Sequence, residues 1–186
     1  MEDLVFPESV WGEGRVGVRR RVMGLASSRL TAAIARFSVP IDRFVLTKTM
    51  GRYTAMGPIG MPLLVLTTLG RKSGAPRRQP LTYVRDGARL VVVGTNFGQA
   101  HHPAWTSNLL AEPHAEVTVG GQTIAVIATQ LHGRQHQRFL REFAEIGQNY
   151  AAYTARAGRE IRVFALERVG NPYPRPQEER VTKEPS

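Results

Sequence analysis

The chain has 186 residues, 25 basic and 15 acidic side chains, a formal net charge of +10 and no cysteine. This length fits one domain with a single core, and a chain without cysteine forms neither disulfides nor thiolate metal sites. No apolar run approaches the roughly 18 residues that span a bilayer, and the first residues lack the pattern of a signal peptide. We therefore expect a cytoplasmic protein with an anionic partner.

Residues 1–44 are expected to form a lead-in followed by one amphipathic helix at 27–39. Four apolar residues recur at helical spacing behind the N-cap candidate Ser28, namely Leu30, Ala33, Ile34 and Phe37. Docking on the core is the simpler interpretation of this helix, but the basic residues at 19–21 leave peripheral membrane association open. The proline-rich, charged tail at 170–186 is expected to be disordered.

The middle of the chain, 45–169, is expected to be one β domain. Segments rich in aliphatic and β-branched residues predict six strands, at 62–69, 80–85, 89–95, 115–119, 122–130 and 161–168. Asp86-Gly87 and Gly120-Gly121 are signals for tight hairpins between neighbouring strands. The predicted fold class is mainly β with flanking helices (α+β), with an antiparallel sheet that curls into a small barrel.

Two helices are expected within this domain. The segment 102–113 predicts a short helix with Pro103 in its first turn and Pro113 at its end. The segment 134–146 is amphipathic, and its apolar stripe predicts four core residues, namely Phe139, Leu140, Phe143 and Ile146.

A basic turn, "TTLGRKSGAPRRQPL" at 67–81, is the first candidate site. Gly70 and Gly74 allow a sharp turn, which brings together the side chains of Arg71, Lys72 and Arg77 and the amide of Ser73. Amides and guanidinium groups suit phosphate, whereas the helix and the Gly-Lys-Ser/Thr ending of a Walker A loop are both absent. A solvated turn that aids solubility is the simpler alternative.

A second candidate segment, "VVVGTNFGQAHHPAWTSNLLAEP", runs from a strand through a glycine-containing loop to a helix. Thr95 and Asn96 offer hydroxyl and amide groups, and the helix that begins near Pro103 adds its dipole. Trp105 fits either the side of a planar ring or the core, and Asn108 fits either a pocket or an ordinary polar helix position.

The histidines give no strong signal for a metal site. His132 and His136 have the i, i+4 spacing of helical ligands, but Gly133 weakens a helix between them and no Glu-x-x-His companion occurs. His101 and His102 lie in the second candidate segment, where they fit either phosphate positioning or a helix cap. No metal is expected.

Three segments in this order resemble the deazaflavin-dependent nitroreductase family. They are "TTLGRKSGAPRRQPLTYVRDG", "PAWTSNLLAEPHAEVTVGG" and "YAAYTARAGREIRVFALE", and the resemblance covers about residues 45–168. These proteins are split β-barrel oxidoreductases, similar in fold to flavin reductases and FMN-binding proteins, that bind coenzyme F420, an 8-hydroxy-5-deazaflavin with a phosphodiester and a polyglutamate tail. The resemblance implies hydride transfer from the reduced coenzyme to an electron-poor quinone, enone or nitro compound.

The resemblance also implies roles for individual residues. Arg71, Lys72 and Arg77 would hold the anionic side arm of the coenzyme, with Ser73 and Asn108 nearby. Thr95, Asn96 and the backbone near Ala104 and Trp105 would contact the phosphate and the deazaflavin. Pro80 and Leu81 would form the wall beside the ring. Tyr150 and Tyr153 match tyrosines of the acceptor pocket, where either could donate a proton or simply pack.

Two departures from the family pattern fall on the acceptor side. Gly147 stands where a further tyrosine is expected, and Phe97 replaces a small residue in the loop after the third strand. Reduction of nitroimidazole prodrugs therefore does not follow from the resemblance.

Three alternatives stay open. The same basic rim would suit FMN in a related barrel, or the chain could carry its coenzyme without catalysis. A nucleic-acid-binding module is less well supported, because no aromatic ladder alternates with the basic residues. A homodimer is also left open.

Overall fold

A computed structural model describes residues 6–7, 62–146 and 148–169. Within these residues, six strands form a closed antiparallel barrel in the order β1-β2-β3-β6-β5-β4. The strands are β1 (Leu63–Leu69), β2 (Pro76–Asp86), β3 (Arg89–Val93), β4 (His114–Val119), β5 (Gln122–Gln130) and β6 (Val163–Arg168). The helices are α1 (Ala104–Ala111), α2 (Gly133–Ile146) and α3 (Gln148–Ala157). The predicted fold class is confirmed, whereas the predicted helix at 27–39 and the tail at 170–186 lie outside the described residues.

The predicted hairpin signals lie where strands reverse. Gly120 and Gly121 have φ values of 56° and 79°, the left-handed values that a two-residue hairpin of the I′ type needs at both positions. They connect Val119 to its partner Gln122. Gly87, with a φ of 62°, begins the turn between β2 and β3. Local turn chemistry therefore sets the order of neighbouring strands.

Strand β2 begins four positions earlier than the sequence pattern predicts, at Pro76 instead of Pro80. The reason is its pairing with β1, which continues to the Leu69–Pro76 pair at the end of the turn. The first three residues of β2 are a proline and two arginines, all exposed, so a hydrophobic pattern does not reveal them. The pairing places Arg77 opposite Thr68 and Pro80 opposite Val65.

The core has two parts, one inside the barrel and one on its outer face. Helix α1 packs on the inner cluster through Trp105 and Leu109, which are 6% and 2% exposed. Helix α2 covers the outer cluster through Phe139 and Phe143, and Leu140 and Ile146 are partly buried against it. The predicted core stripe of α2 is confirmed.

Helix α3 was not predicted as a helix. Its sequence, "QNYAAYTARA", lacks a strong apolar stripe, and it is held by tertiary contacts instead. Tyr150 packs against Phe143 with ring centroids 5.4 Å apart, and Ala157 is buried in the outer cluster. The packing of α3 next to α2 places its tyrosines above the outer face of β2.

Phe6 anchors part of the lead-in to the barrel. Its side chain is 2% exposed within the inner cluster, and its carbonyl accepts a hydrogen bond of 3.0 Å from Arg85. Arg85 also donates to the carbonyl of Pro7. Because Arg85 is close to the β2–β3 turn, Phe6 lies toward the end of the barrel opposite the basic turn. Among the described residues, no helix has the length and apolar character needed to cross a bilayer.

Candidate functional site

The basic turn between β1 and β2 is held by its own backbone. The amides of Ser73 and Gly74 donate to the carbonyl of Gly70, at 3.0 and 2.7 Å, and the Gly70 amide donates to Ala75 at 2.9 Å. Gly74 has a φ of +65°, a value that few side-chain-bearing residues adopt. This closed turn presents its cationic side chains at one end of the barrel.

The cations of this turn are exposed, and none of them pairs with a carboxylate that the structure describes. Arg71, Lys72, Ser73 and Arg77 are all exposed. Across the described parts of the chain, no carboxylate forms a salt bridge with Arg71, Lys72 or Arg77. Within the described ranges, the Arg77 side chain makes one long hydrogen bond, of 3.5 Å, to the Ser73 hydroxyl. Three cations without a carboxylate partner among the described residues thus lie on one turn.

Asn108 connects this turn to helix α1. Its side-chain oxygen accepts a hydrogen bond of 3.2 Å from the Arg71 amide, and its side-chain nitrogen donates to the Thr68 hydroxyl at 3.0 Å. The side chain is only 5% exposed, so leaving either group without a partner would be unfavourable. Asn108 is therefore placed beside the basic turn, where it fixes the turn against the helix.

The loop between β3 and α1 has an unusual backbone. Asn96 and Phe97 both have positive φ values, 48° and 54°, which are uncommon without glycine. The Asn96 side-chain nitrogen donates to the carbonyl of His101 at 3.1 Å, and Thr95 is buried. The loop thus folds over itself, with the Phe97 ring 49% exposed.

This loop packs closely on α3 at Gly98, which gives a test of the contact. Replacing Gly98 by alanine is expected to lower the free energy of unfolding by about 2–4 kcal/mol. The reason is that φ is +75° and the new Cβ would lie 3.1 Å from the Tyr153 Cα and 3.0 Å from its carbonyl oxygen. Urea unfolding of the variant and the wild type measures the difference.

Gly87→Ala is the matched control for this substitution. Gly87 also has a positive φ, +62°, but no heavy atom lies within 4 Å of a Cβ placed there. Its replacement is expected to cost only the backbone strain, about 1–2 kcal/mol. Equal losses in the two variants would contradict the close packing of the loop on α3.

Two tyrosines of α3 lie beside the loop in a chain of aromatic rings. Tyr153 contacts Phe97 with ring centroids 5.9 Å apart and Tyr150 at 6.2 Å, both edge-on. Arg156 lies over the Tyr153 ring and donates to the Phe97 carbonyl at 3.3 Å. Burial raises the pKa of Tyr150, a hydrogen bond with the Thr82 side chain opposes this, and nearby Tyr153 raises it further. Tyr150 therefore keeps its proton at physiological pH.

The remaining predicted residues lie on different faces. Pro80 is on the same face of β2 as Thr82, the partner of Tyr150, since alternate strand residues share a face. Leu81 packs against the inner cluster instead. The Trp105 ring packs on Phe164 with centroids 5.8 Å apart. Its side chain therefore lies in the core, which was one of the two interpretations of its sequence position. Ala104, the first residue of α1, is exposed.

Sequence reasoning gave no role to two arginines that precede β6. Arg159 donates to backbone carbonyls of the β3–α1 loop, including Thr95 at 3.1 Å. Arg162 donates to the hydroxyls of Thr106 and Ser107 in α1, each at 3.2 Å. The only sequence signal was their place in the "GREIR" segment, which periodicity does not distinguish from an ordinary strand start.

The histidines at 132 and 136 are not arranged as a metal pair. The His136 Nε2 lies 2.6 Å from the Ile161 carbonyl oxygen, and it must donate there because a carbonyl only accepts. Within the ranges that the structure covers, no group of three or more histidine, aspartate or glutamate side chains could hold a metal ion.

A cavity of about 250 Å³ lies away from all of these residues. Asp86, Arg89, Glu167 and Arg168 line it together with Ala88, so it lies at the β2–β3 turn, the opposite end of β2 from the basic turn. Arg89 pairs there with Asp86 at 2.6 Å. We assign the candidate site to the end with the basic turn, because Arg89 at this cavity already pairs with Asp86 and Glu167.

Comparison with known proteins finds similarity to F420H(2)-dependent quinone reductases. The family model described as F420H(2)-dependent quinone reductase matches residues 41–168. An F420H(2)-dependent quinone reductase of Mycobacterium tuberculosis is 36% identical over 123 residues, which are 64% of this chain and 83% of that protein.

Two solved structures are also similar to this chain. A structure described as an F420-H2 dependent reductase has a TM-score of 0.53 and 31% identity, covering 57% of this chain and 94% of its own. Another, described as a domain-swapped dimer, has a TM-score of 0.55 and 27% identity, covering 73% of this chain and 98% of its own. The resemblance seen in the sequence is thereby confirmed.

Proposed function

Because the chain belongs to the F420H(2)-dependent quinone reductase family, we propose that its basic turn, β3–α1 loop and α3 tyrosines form the site where F420H2 reduces a quinone. The chain is an oxidoreductase of this family and coenzyme F420 is its cofactor. We propose in addition which residues contact the coenzyme and the acceptor, and that the acceptor is a quinone and not an enone or a nitro compound.

The observation that carries the proposal is the exposed positive charge on the basic turn, which no described carboxylate neutralises. Coenzyme F420 has a phosphodiester and a polyglutamate tail, so its side arm is strongly anionic. Arg71, Lys72 and Arg77 are exposed and pair with no described carboxylate. Such cations complement phosphate and carboxylate groups through charge-assisted hydrogen bonds. The donor set of the turn therefore fits the coenzyme's side arm.

Residues of the β3–α1 loop would hold the phosphate side of the coenzyme. The loop ends at Pro103, the N-cap of α1, where backbone amides and the helix dipole favour an anion. Thr95, Asn96 and the backbone of Ala104 and Trp105 would make these contacts. Asn108 would act indirectly, by fixing Arg71 against α1.

The α3 tyrosines would serve the electron acceptor. The bound coenzyme supplies a hydride, and reduction of a quinone is completed by a proton. The Tyr150 hydroxyl stays protonated because burial raises its pKa, so it can donate a hydrogen bond to a quinone oxygen or transfer a proton. Tyr153 and Phe97 form an aromatic edge next to it, which suits a flat, apolar acceptor.

Titration of the purified full-length chain tests the proposal. Oxidised F420 and FMN are each added at pH 7.5 while their fluorescence is followed, and the reduced coenzyme is then mixed with quinones, enones and nitro compounds in a stopped-flow instrument. Binding of F420 in preference to FMN, with fastest oxidation by quinones, is expected. Tight FMN binding without F420 binding would overturn the proposal. Binding without oxidation by any acceptor would support a coenzyme carrier.

The two association states left open by the sequence also remain proposals. A homodimer is supported by the structural neighbour described as a domain-swapped dimer. Light scattering of the protein as it leaves a size-exclusion column would measure its mass. Membrane contact through residues 27–39 rests on sequence alone, since those residues lie outside the described ranges.

A further inference from the structure

The guanidinium group of Arg159 uses all five of its N–H donors within the protein. Nη2 donates to the carbonyls of Gly94 and Thr95 at 3.2 and 3.1 Å, and Nε donates to the carbonyl of Gln99 at 3.1 Å. Nη1 donates to the His102 Nδ1 at 3.0 Å and makes a longer contact of 3.4 Å to the carbonyl of Glu160. A guanidinium carries five such hydrogens, so none is left for a ligand.

These contacts hold the β3–α1 loop at both of its ends. Gly94 and Thr95 follow β3 directly, and His102 precedes the N-cap of α1, so one side chain joins the start of the loop to its last residues. The planar fork of a guanidinium fixes several acceptors relative to one another, which a lysine ammonium does not do. Movement of the loop away from α3 would break several of these hydrogen bonds together.

The contact with Arg159 also determines which nitrogen of His102 carries the proton. Because an arginine N–H can only donate, the His102 Nδ1 must accept, and the neutral ring carries its proton on Nε2. Burial lowers the pKa of His102, the charges of Arg162 and Arg159 lower it further, and Glu160 opposes them. In the part of the chain that the structure describes, these are the charged groups that act on the ring. Among the described residues, nothing accepts a hydrogen bond from Nε2.

We propose that Arg159 is a positioning residue for the coenzyme, which fixes the β3–α1 loop and orients His102 so that its Nε2–H donates to the coenzyme phosphate. This inference rests on the proposed function, in which Thr95 and Asn96 of the same loop contact the coenzyme. Arg159 touches neither the coenzyme nor the acceptor in this arrangement, because its donors are already used.

Four variants test this role: Arg159→Gln, Arg159→Lys, His102→Ala and the double variant Arg159→Gln/His102→Ala. The dissociation constant of F420 is measured at pH 7.5 by fluorescence, and the KM for a quinone is measured at saturating coenzyme. Each single substitution is expected to weaken F420 binding about tenfold, with the quinone KM changed less than about twofold. The double variant is expected to be about as weak as Arg159→Gln alone, because that substitution already removes the orientation of His102.

Arg159→Lys separates geometry from charge. It keeps the positive charge but not the fork, so it is expected to bind F420 about as weakly as Arg159→Gln. Arg141→Gln is the matched control, because Arg141 is an exposed arginine of α2 and its loss is expected to leave binding unchanged. Wild-type affinity in Arg159→Lys, or independent effects in the double variant, would overturn the proposal.

Nitrogen NMR of the coenzyme-free wild type gives a readout that does not depend on coenzyme binding. The His102 Nδ1 is expected to show the shift of an unprotonated nitrogen at pH 7.5, with a titration midpoint below 6.5 that rises in Arg159→Gln. A protonated Nδ1 in the neutral ring would overturn the inference even if no variant folds. If the wild type fails to bind F420 while the NMR result is as expected, the proposed function and the phosphate contact are contradicted. The hydrogen bond between Arg159 and His102 would still stand.

Discussion

Replacement of Lys72 and Arg77 together by alanine is expected to weaken binding of F420 about a hundredfold. The magnitude follows from the loss of two charge-assisted hydrogen bonds, each of about 1.5 kcal/mol. Both side chains are exposed, so the melting temperature is expected to change little. Fluorescence titration at two salt concentrations measures the affinity, and the variant is expected to show a weaker salt dependence than the wild type.

The control for this prediction is Arg141→Ala, which removes a positive charge from the exposed face of α2. If general attraction by the net charge of +10 accounts for binding, this substitution weakens F420 binding by about half as much, on a logarithmic scale, as the double substitution in the turn. Unchanged affinity in the Lys72/Arg77 double variant would show that the side arm binds elsewhere.

Tyr150→Phe is expected to slow quinone reduction about a hundredfold while leaving F420 affinity unchanged. The substitution removes the hydroxyl that bonds with Thr82 but keeps the ring that packs on Phe143. A hundredfold decrease in rate is typical of the loss of one general acid. Single-turnover oxidation of bound F420H2 by a quinone, followed by absorbance, measures the rate.

Tyr153→Phe is the matched comparison in the same helix, and it is expected to have the smaller effect on the rate. Its ring contacts with Phe97 and Tyr150 are edge-on contacts that phenylalanine preserves. An equal rate in Tyr150→Phe and the wild type would mean that solvent supplies the proton. The opposite ranking of the two variants would assign the proton to Tyr153.

The raised pKa of Tyr150 also predicts that the free energy of unfolding falls as pH rises above the ordinary tyrosine pKa. In the folded protein the pKa lies above its ordinary value of 10.0, so the unfolded chain loses this proton first as pH rises. The contribution of Tyr150 is therefore fully present below about pH 10 and is lost as pH rises further. Rate assays run between pH 6 and 9 would therefore compare proteins in which this hydroxyl is protonated.

Much of the barrel could be predicted because its signals are local. Segments rich in aliphatic and β-branched residues revealed all six strands, and Asp86-Gly87 and Gly120-Gly121 marked two reversals, since turn geometry depends on a few adjacent residues. The start of β2 could not be predicted, because the residues from Pro76 to Arg78 are charged or proline and join the sheet only through pairing with β1. Helix α3 was missed because neighbouring rings, not its own pattern, hold it.

The candidate site was also only partly predictable from the sequence. The cationic turn was visible as "GRKSGAPR", and the order of three motifs was enough to indicate the family. The roles of Trp105 and Asn108 were ambiguous, because helical spacing alone does not say whether a side chain faces a core, a neighbouring turn or a ligand. The structure resolved this through the contact of Trp105 with Phe164 and of Asn108 with Thr68.

The sequence by itself determined the strand pattern, the tight turns, the excess of positive charge and the family of this protein. Only the tertiary structure decided which residues share one end of the barrel. It joined the Arg71 amide to Asn108 across 37 positions and Arg159 to Gly94 across 65. The physical reason is that turn and strand preferences act between neighbours in the chain, whereas hydrogen bonds across the barrel exist only after the sheet has closed and brought distant segments within about 3 Å.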